Sequence, residues 1–372
     1  EDYVDIGTPI VTVEHLGNRV FTEQNLPKVS DEDKARLSKY VLKEGDIVFS
    51  RVGSVDRCSY VDAAHDGWMF SGRCLRVRPN TEVDPLYLYY FFCLEDTKQF
   101  VRNIAVGATM PSINTKLLGE VEVAYPSQTE QQKIVALLSA LDDKIEINQK
   151  INDNLEQQAQ SYFQELFVDN ADPEWAIGTI SDLGTVVGGS TPSKAKPEYY
   201  TESGIAWITP KDLSINKSKF VSHGENDITE LGLKNSSAAI MPEGTVLFSS
   251  RAPIGYIAIA AGEVTTNQGF KSVVPKPEIG TPFVYFFLKN TLPVIEGMAS
   301  GSTFKEVSGS TMKNVPAVIP DAETLAKFSD FCAPIFAQQR ILEEQNQSLA
   351  TLRDNLLPKL MSGEIDVSAV QL

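Results

Sequence analysis

Residues 127–155 read SQTEQQKIVALLSALDDKIEINQKINDNL and open a segment, 127–168, that contains neither proline nor glycine. Apolar or amide side chains recur along it at alternating steps of three and four residues, at Ile134, Leu138, Leu141, Ile145, Asn148, Asn152, Leu155, Ala159, Tyr162 and Leu166. This heptad spacing predicts a helix with one continuous seam, roughly 60 Å long at about 1.5 Å per residue. Ser127 or Thr129, ahead of Glu130, is expected to cap its start.

A second helical segment is predicted near the end of the chain. Its seam has the same spacing and consists of Phe328, Phe331, Ile335, Gln338, Leu342, Gln345, Leu349, Leu352 and Leu356. Pro334 predicts a kink or a restart of this helix, because proline removes a backbone hydrogen bond, and Pro358 is expected near its end. Both seams become polar in the middle, which is typical of buried amides that fix register and partner. We therefore expect the two helices to pack as an antiparallel coiled coil.

The chain repeats itself in order, which is the strongest signal in the sequence. The matching stretches are 7–13 with 204–210, 44–50 with 243–249, 85–91 with 282–288, 107–109 with 301–303, and 126 with 320. The interval between matching positions varies only from 194 to 199 residues, as insertions between two diverged copies would produce. Each copy begins with short strand-like runs separated by Gly and Pro, and ends in a long helix.

The repeat predicts an α+β fold in which two mixed, mainly β domains alternate with two long helices and are related by an internal pseudo-two-fold repeat. The expected segments are a first globular domain at 1–125, a first helical spacer at 126–170, a second globular domain at 171–319, and a second helical spacer with its tail at 320–365. The second copy has a longer stretch ahead of its first matching position than the first copy has. We expect about 23 residues of the first domain to be missing from its start.

Composition is that of a globular protein, with 42% hydrophobic and 22% charged residues. The longest apolar run, residues 86–94, is about half as long as a membrane-spanning helix, and no signal peptide is visible, so we expect a soluble cytoplasmic protein. The four cysteines form no Cys-x-x-Cys pair, which favours buried reduced thiols over a disulfide framework or a metal site. The net charge of −16 argues against nucleic-acid binding, but the acidic residues are densest in the two helical segments.

Motifs typical of nucleotide-dependent and methyl-transfer catalysis do not occur in the sequence. The sequence has no P-loop, no Asn/Asp-Pro-Pro-aromatic tetrad of adenine methyltransferases and no Gly-x-Gly cofactor loop after a strand. Glu32-Asp-Lys34 looks like the end of a nuclease motif, but it lies in a charged stretch where the start of a solvated helix is the better interpretation. We therefore expect no catalytic residues and no bound cofactor.

Several stretches together resemble a known family. They are QQKI at 131–134, LDDKI at 141–145, NQKINDNL at 148–155, GGSTP at 188–192 and LRDNLLPKLMSGEI at 352–365. With them, essentially the whole chain resembles the DNA specificity (S) subunit of type I restriction–modification systems, although the start of the first domain departs from the pattern. The competing hypothesis is a scaffold that does not bind DNA and holds protein partners through two repeated domains and a coiled coil.

The resemblance implies that each globular part is a target recognition domain and that each reads one half of a bipartite sequence in double-stranded DNA. It also implies that the helices set the gap between the half-sites and dock two methyltransferase (M) subunits, which are joined by two restriction (R) subunits. S-adenosylmethionine is then expected on the methyltransferase subunits, and ATP and Mg²⁺ on the restriction subunits. This chain would itself be non-catalytic.

Candidate DNA contacts are polar side chains on loops at matching places in the two copies, because forked or paired hydrogen-bond groups read bases and cations hold phosphates. After the strand at 46–49 and its counterpart they are Ser50, Arg51, Ser54, Arg57, Ser250 and Arg251. On the two Gly-x-Thr turns they are Thr109, Ser112, Asn114, Lys116, Ser302, Thr303 and Lys305. On the loop at 188–196 and after 265–267 they are Ser190, Thr191, Lys194, Lys196, Gln268 and Lys271. The alternatives are surface ion pairs, structural turns and an exposed linker.

The aromatic runs at 87–92 and 283–287 are a different kind of feature. They suggest base-stacking platforms at first, but both runs are continuously apolar and occupy the same place in the two copies. We predict that each is a buried helix.

Overall fold

The computed structural model describes residues 3–301 and 305–370. The chain forms two compact units, which we call unit 1 (residues 1–146 and 347–372) and unit 2 (residues 147–346). Each unit therefore combines one globular part with one half of each long helix. Along the described chain, no helix is both long and apolar enough to cross a membrane.

Unit 1 is built from short strands and four helices that precede the first long helix. The strands are β1 (Thr8–Val11), β2 (Lys28–Val29), β3 (Ile47–Ser50), β4 (Cys58–Tyr60), β5 (Met69–Phe70) and β6 (Cys74–Val77). The helices are α1 (Asp31–Arg36), α2 (Pro85–Cys93), α3 (Glu95–Ile104) and α4 (Thr115–Leu118). The solvated helix expected around Glu32 is confirmed as α1, which has no buried residue and is capped by the Ser30 hydroxyl.

The first long helix, α5, spans Gln128–Gln164 and ends in a π-helical turn at Glu165–Asp169. Its start is confirmed, because the Glu130 carboxylate accepts hydrogen bonds from both the backbone N–H and the hydroxyl of Ser127.

Unit 2 has a larger set of elements. Its strands are β7 (Ala176–Thr179), β8 (Gly184–Gly188), β9 (Tyr200–Thr201), β10 (Ile205–Ile208), β11 (Phe220–Val221), β12 (Asn226–Ile228), β13 (Val246–Ser250), β14 (Ile254–Ala260), β15 (Thr265–Thr266), β16 (Lys271–Pro275) and β17 (Pro316–Ile319). Its shorter helices are α6 (Ile180–Leu183), α7 (Pro210–Ile215), α8 (Glu230–Lys234), α9 (Thr281–Gly297) and α10 (Gly309–Lys313), and the second long helix, α11, spans Ala322–Met361.

The internal repeat is confirmed by strand pairing. In unit 1, β1 is antiparallel to β2 and parallel to β5, and in unit 2, β10 is antiparallel to β12 and parallel to β15. In the same way β3 lies between β4 and β6, and β13 lies between β14 and β16. The matching register pairs are Thr8↔Val29 with Ile205↔Ile228, Ile10↔Met69 with Trp207↔Thr265, and Ile47↔Tyr60 with Val246↔Ile259. The two copies therefore share one sheet framework.

The core of each unit contains the aromatic runs, and their prediction as buried helices is confirmed. In α2, five residues between Tyr87 and Phe92 are buried, and in α9 every residue from Phe283 to Leu288 is buried. Ring contacts such as Phe49 with Phe92, at 4.8 Å between centroids, join helix to sheet. Such edge-to-face packing adds to the free energy gained from apolar burial.

Two details of the second helical prediction are wrong. Helix α11 is continuous through the exposed Pro334, so the predicted restart of the helix there is wrong. Its inward face is also displaced from the predicted seam. Buried or half-buried side chains recur along it at Leu325, Phe328, Cys332, Ile335, Gln339, Leu342, Asn346, Leu349, Arg353, Leu356 and Leu360, and Phe336 and Leu357 are buried as well.

The two seams share Phe328, Ile335, Leu342, Leu349 and Leu356 but differ at every alternate position. The predicted seam places Phe331 and Leu352 at two of these alternate positions, and their side chains are 39% and 47% exposed. At the alternate positions the more buried residues are Cys332, Gln339, Asn346 and Arg353. Two of the predicted residues nevertheless contact α5, so the predicted seam is partly correct. The Phe331 ring packs on Tyr162 at 4.5 Å between centroids, and Gln345 Oε1 accepts from Asn148 Nδ2 at 3.4 Å.

This corrected seam makes a testable prediction. Leu360→Ala empties a position that is 2% exposed within the core of unit 1, and should lower the free energy of unfolding by about 3 kcal/mol. Leu352→Ala, on the same helix and in the same unit, should cost less than about 1 kcal/mol. Urea unfolding followed by circular dichroism measures both, and equal losses would restore the seam expected from the sequence.

Candidate nucleic-acid interface

A polar surface lies in unit 2 where β8 and β13 end and β16 begins. We define the unit 2 surface as Thr191, Arg251, Gln268, Lys271 and Glu306. The Thr191 hydroxyl donates to Gln268 Oε1. Glu306 faces both cations, with Arg251 Nη1 at 3.6 Å and Lys271 Nζ at 3.7 Å from its carboxylate oxygens. Two of the predicted cations therefore share one carboxylate that was not predicted, and Lys271 Nζ also donates to Gln268 O at 3.4 Å.

Backbone contacts at the start of the loop at 188–196 hold that loop in place. A Cβ at Gly189 would lie 1.9 Å from the carbonyl oxygen of Asn267, so only glycine allows this approach. The N–H of Ser190 donates to Thr266 O at 2.9 Å, and its carbonyl accepts from Trp207 Nε1 at 3.0 Å. These bonds anchor the loop and leave the Thr191 side chain beside Gln268.

The charges of the unit 2 surface are partly desolvated. Burial lowers the pKa of the Lys271 ammonium and Arg251 acts in the same direction, whereas Glu306 opposes both. Guanidinium and ammonium groups bind phosphate or the acceptors of guanine, amides pair with adenine, and carboxylates accept from cytosine. The surface thus offers every group that direct readout uses.

Unit 1 has a polar surface at the same edge of its own sheet. Arg51 is exposed, its Nη1 lies 3.3 Å from Gly72 O, and its backbone N–H donates to Arg73 O. Ser112 pairs through its backbone with Val52, and its hydroxyl donates to Val106 O at 3.2 Å. We define Arg51, Arg73 and Ser112 as the unit 1 surface. Arg73 has no signal in the sequence, since its position depends on strand pairing.

Backbone hydrogen bonds agree with the sequence match of 44–50 with 243–249, and they show that the two arginines lie one residue apart. The N–H of Ile113 donates to Arg51 O, and the N–H of Val307 donates to Ser250 O, so Arg51 corresponds to Ser250. The bridges Val52↔Ser112 and Arg251↔Glu306 likewise make Arg251 the counterpart of Val52. Arg51 and Arg251 therefore lie one residue apart in the strand arrangement that the two copies share, and they are not equivalent.

Some predicted contacts are engaged within their own unit. Ser50 and Ser250 are buried, and their hydroxyls donate to the carbonyls of Val52 and Gly269. Arg57 donates to Leu16 O instead of facing the Arg51 side. The Asn114 side chain caps α4 by accepting from the N–H groups of Lys116 and Leu117. We leave these four side chains out of the two surfaces.

The remaining predicted residues lie on loops. Those with exposed side chains are Ser54, Thr109, Lys116, Lys194, Lys196 and Lys305, and Ser190 is half-buried. Lys196 lies 3.7 Å from Glu198. Ser302 and Thr303 lie outside the described residues.

A buried ion network, which the sequence analysis missed, links the sheet of unit 2 to both long helices. Lys219, 6% exposed, lies 2.7 Å from Glu156 Oε2 and donates to Gln339 Oε1 at 2.9 Å. Glu156 also binds Lys289 Nζ at 2.6 Å and accepts from the Tyr285 hydroxyl at 3.1 Å. We call Glu156, Lys219, Tyr285, Lys289 and Gln339 the lysine network.

Burial and charge act against each other in this network. Burial alone would raise the pKa of Glu156, but Lys219 and Lys289 outweigh it and hold the pKa at about 2. Burial lowers the pKa of Lys219 to about 8, although Glu156 opposes that change. Both groups are therefore charged near neutral pH, where each compensates the desolvation of the other.

Glu156 should make folding depend on pH. A carboxylate whose pKa is depressed in the folded state stabilises it above the unfolded value, near 4.5, and loses that effect as the pH falls to about 2. Glu156→Gln should thus be less stable at pH 7 by up to about 3 kcal/mol, and the difference should vanish towards pH 2. Urea unfolding across this range measures it, with Glu278→Gln on the exposed surface as control. A difference that stays constant with pH would contradict the prediction.

The charged groups form no clear metal site. Within residues 3–301 and 305–370, no three His, Cys, Asp or Glu side chains are placed to hold a metal ion. Cys58, Cys74 and Cys332 are buried, and Cys93 is half-buried.

Comparison with known proteins places this architecture in a family. The family described as the type I restriction modification DNA specificity domain matches residues 1–157 and again residues 173–352. The chain belongs to this family, and the two matches coincide with the two copies of the repeat.

Individual relatives agree with this placement. The specificity subunit of the type I restriction enzyme HindI from Haemophilus influenzae is 24% identical over 413 aligned residues, which cover 90% of this chain and 89% of that protein. The MjaIX specificity subunit from Methanocaldococcus jannaschii is 39% identical over 194 residues, or 50% of this chain and 45% of that protein. A crystal structure of a type I restriction–modification S subunit from M. genitalium covers 96% of this chain and 90% of its own, with a TM-score of 0.57 and 18% identity, and shows the same fold.

Proposed function

We propose that this chain is the sequence-specific DNA-recognition subunit of a type I restriction–modification complex, in which each globular part reads one half of a bipartite target in double-stranded DNA. The observation that carries the proposal is the doubled framework. Two copies with the same strand register each present arginine and other polar side chains at the same sheet edge. Two such surfaces suit two short specified blocks of sequence.

We further propose that the long helices pair as an antiparallel coiled coil, set the gap between the blocks and dock two methyltransferase subunits. The support is the order of contacts along them. In unit 1, Asp142 on α5 meets Arg353 on α11, with 2.7 Å between Oδ1 and Nη1. In unit 2, Asn148 donates to Asn346 Oδ1 at 2.8 Å, and Gln339 donates to Asn152 O at 3.2 Å. As residue numbers increase along α5, the numbers of their partners on α11 decrease, as in an antiparallel pair.

In this proposal the chain carries no catalytic residue and binds no cofactor. S-adenosylmethionine belongs to the methyltransferase subunits, and ATP and Mg²⁺ belong to the two restriction subunits. The net negative charge of this chain is compatible with such a complex, because the other subunits can supply many of the contacts to DNA phosphates. The alternative scaffold is less favoured, since it gives no reason for arginines at the same sheet edge in both units.

The proposal is tested by co-expressing the chain with its cognate methyltransferase subunit and sequencing the host DNA for methyladenine. A motif of two specified blocks around a fixed gap is expected. A stable complex that adds no methylation motif would favour the scaffold, and failure to bind the methyltransferase would refute the proposal.

Substitutions on each surface should then alter one block at a time. Lys271→Ala or Arg251→Ala should reduce methylation about tenfold or more, or relax the bases of one block, because a base or phosphate contact contributes about 1–3 kcal/mol. Arg51→Ala should affect only the other block. Lys276→Ala is the matched control, since Lys276 is an exposed lysine just past the opposite end of β16. Changes to both blocks by every variant, or by the control, would contradict the assignment.

A further inference from the structure

Lys219 connects three separate elements through both its backbone and its side chain. Its N–H donates to Glu343 Oε1 on α11 at 2.7 Å, and the N–H of the next residue, Phe220, donates to Oε2 of the same carboxylate at 3.0 Å. Its carbonyl accepts from the N–H of Ile259 in β14 at 2.7 Å. Both polar backbone groups of this one residue are therefore fixed, between a helix and the edge of the five-stranded sheet.

The Lys219 side chain contacts α11 and also α5, the other long helix. Its ammonium binds Glu156 on α5 and Gln339 on α11, and it lies 3.5 Å from the centroid of the Phe336 ring. Glu156 is held on its other oxygen by Lys289 of α9. A single side chain of the globular part is thus tied to both long helices of unit 2 and to the core helix that packs under the sheet.

A contribution to the free energy of unfolding does not by itself explain why these charged groups are buried. Burying two charges costs much of what their attraction returns, so apolar residues of similar size often serve as well or better. Buried ionic groups do impose a specific geometry on the elements that carry them. The ion pairs and hydrogen bonds of the lysine network form only when helix and sheet meet at one angle and one register. The lysine network is therefore suited to fixing orientation.

Unit 1 provides an independent observation. The N–H of Tyr60 donates to Arg19 O at 2.7 Å, just as that of Ile259 donates to Lys219 O, so Arg19 occupies the equivalent backbone position. Arg19 also turns to a long helix, where it lies 2.6 Å from Asp143 and 2.8 Å from Glu146. Both copies place a cation at this position and pair it with acidic residues of α5, although the two cations and their partners differ.

We propose that Lys219 is a positioning residue that fixes the angle of the second recognition part on the helices of its unit and thereby limits the gap lengths that the complex accepts. This inference rests on the function proposed above. Lys219 itself reads no base, so its loss should leave the two specified blocks unchanged and widen the range of gaps between them.

The test uses the whole chain in complex with its methyltransferase subunit. Lys219→Met keeps the length of the side chain and removes its charge, and the double variant Lys219→Met with Glu156→Gln also removes the acid left behind. DNA substrates carry both blocks at the normal gap or at a gap one base pair shorter or longer. For the double variant, methylation at the altered gaps, relative to the normal gap, should rise about tenfold over the wild type.

Controls separate this role from a merely structural one. Lys211→Met removes a lysine whose ion pair with Glu225 is exposed, and should leave the gap profile unchanged. Thermal unfolding of each complex reports stability separately, so the double variant remains informative if Lys219→Met alone does not fold. An unchanged gap profile in a folded double variant would overturn the inference. A wild-type complex that shows no bipartite motif would instead overturn the proposed function.

Discussion

The buried amide contact between Asn148 and Asn346 is the constraint on which the arrangement of unit 2 depends. Apolar seams tolerate sliding by a heptad, whereas an amide buried between helices loses its hydrogen bonds if either helix shifts. Asn148 is fully buried and meets Asn346 at 2.8 Å, near the middle of α5. The position of Asn152 beside Gln339 in the same unit follows from this register. The helices then present fixed carboxylates to the globular parts.

Much of the framework is predictable from the sequence, because it depends on periodicity and on repetition. The heptad steps predict α5 and α11, and the ordered matches predict two copies of one sheet arrangement. The inner face of α11 is harder to predict, since the buried Gln339 and the half-buried Arg353 are polar and do not stand out in a hydrophobic pattern. Buried polar partners are set by the opposing helix, which a local pattern does not contain.

The candidate interface is predictable to a smaller extent. Loop composition identifies Arg51, Thr191, Arg251, Gln268 and Lys271, but it also selects Ser50 and Ser250, whose burial depends on β-pairing. Glu306 and Arg73 join the surfaces through tertiary contacts alone. Lys219 is the most instructive omission. It stands in an ordinary charged stretch, and its equivalence to Arg19 is visible only when the carbonyls of both are seen to accept from the same neighbouring strand.

The one-residue offset between the arginines also has a consequence for the kind of DNA site that the protein defines. Where unit 1 exposes Arg51, unit 2 has the buried Ser250, and where unit 2 places Arg251, unit 1 has Val52. If the chain reads DNA as proposed, two copies that share a scaffold but not these side chains should recognise different half-sites, and the combined target should not be palindromic. A complex bound to such a target would have one defined orientation along the duplex, unlike a symmetric dimer on a palindrome.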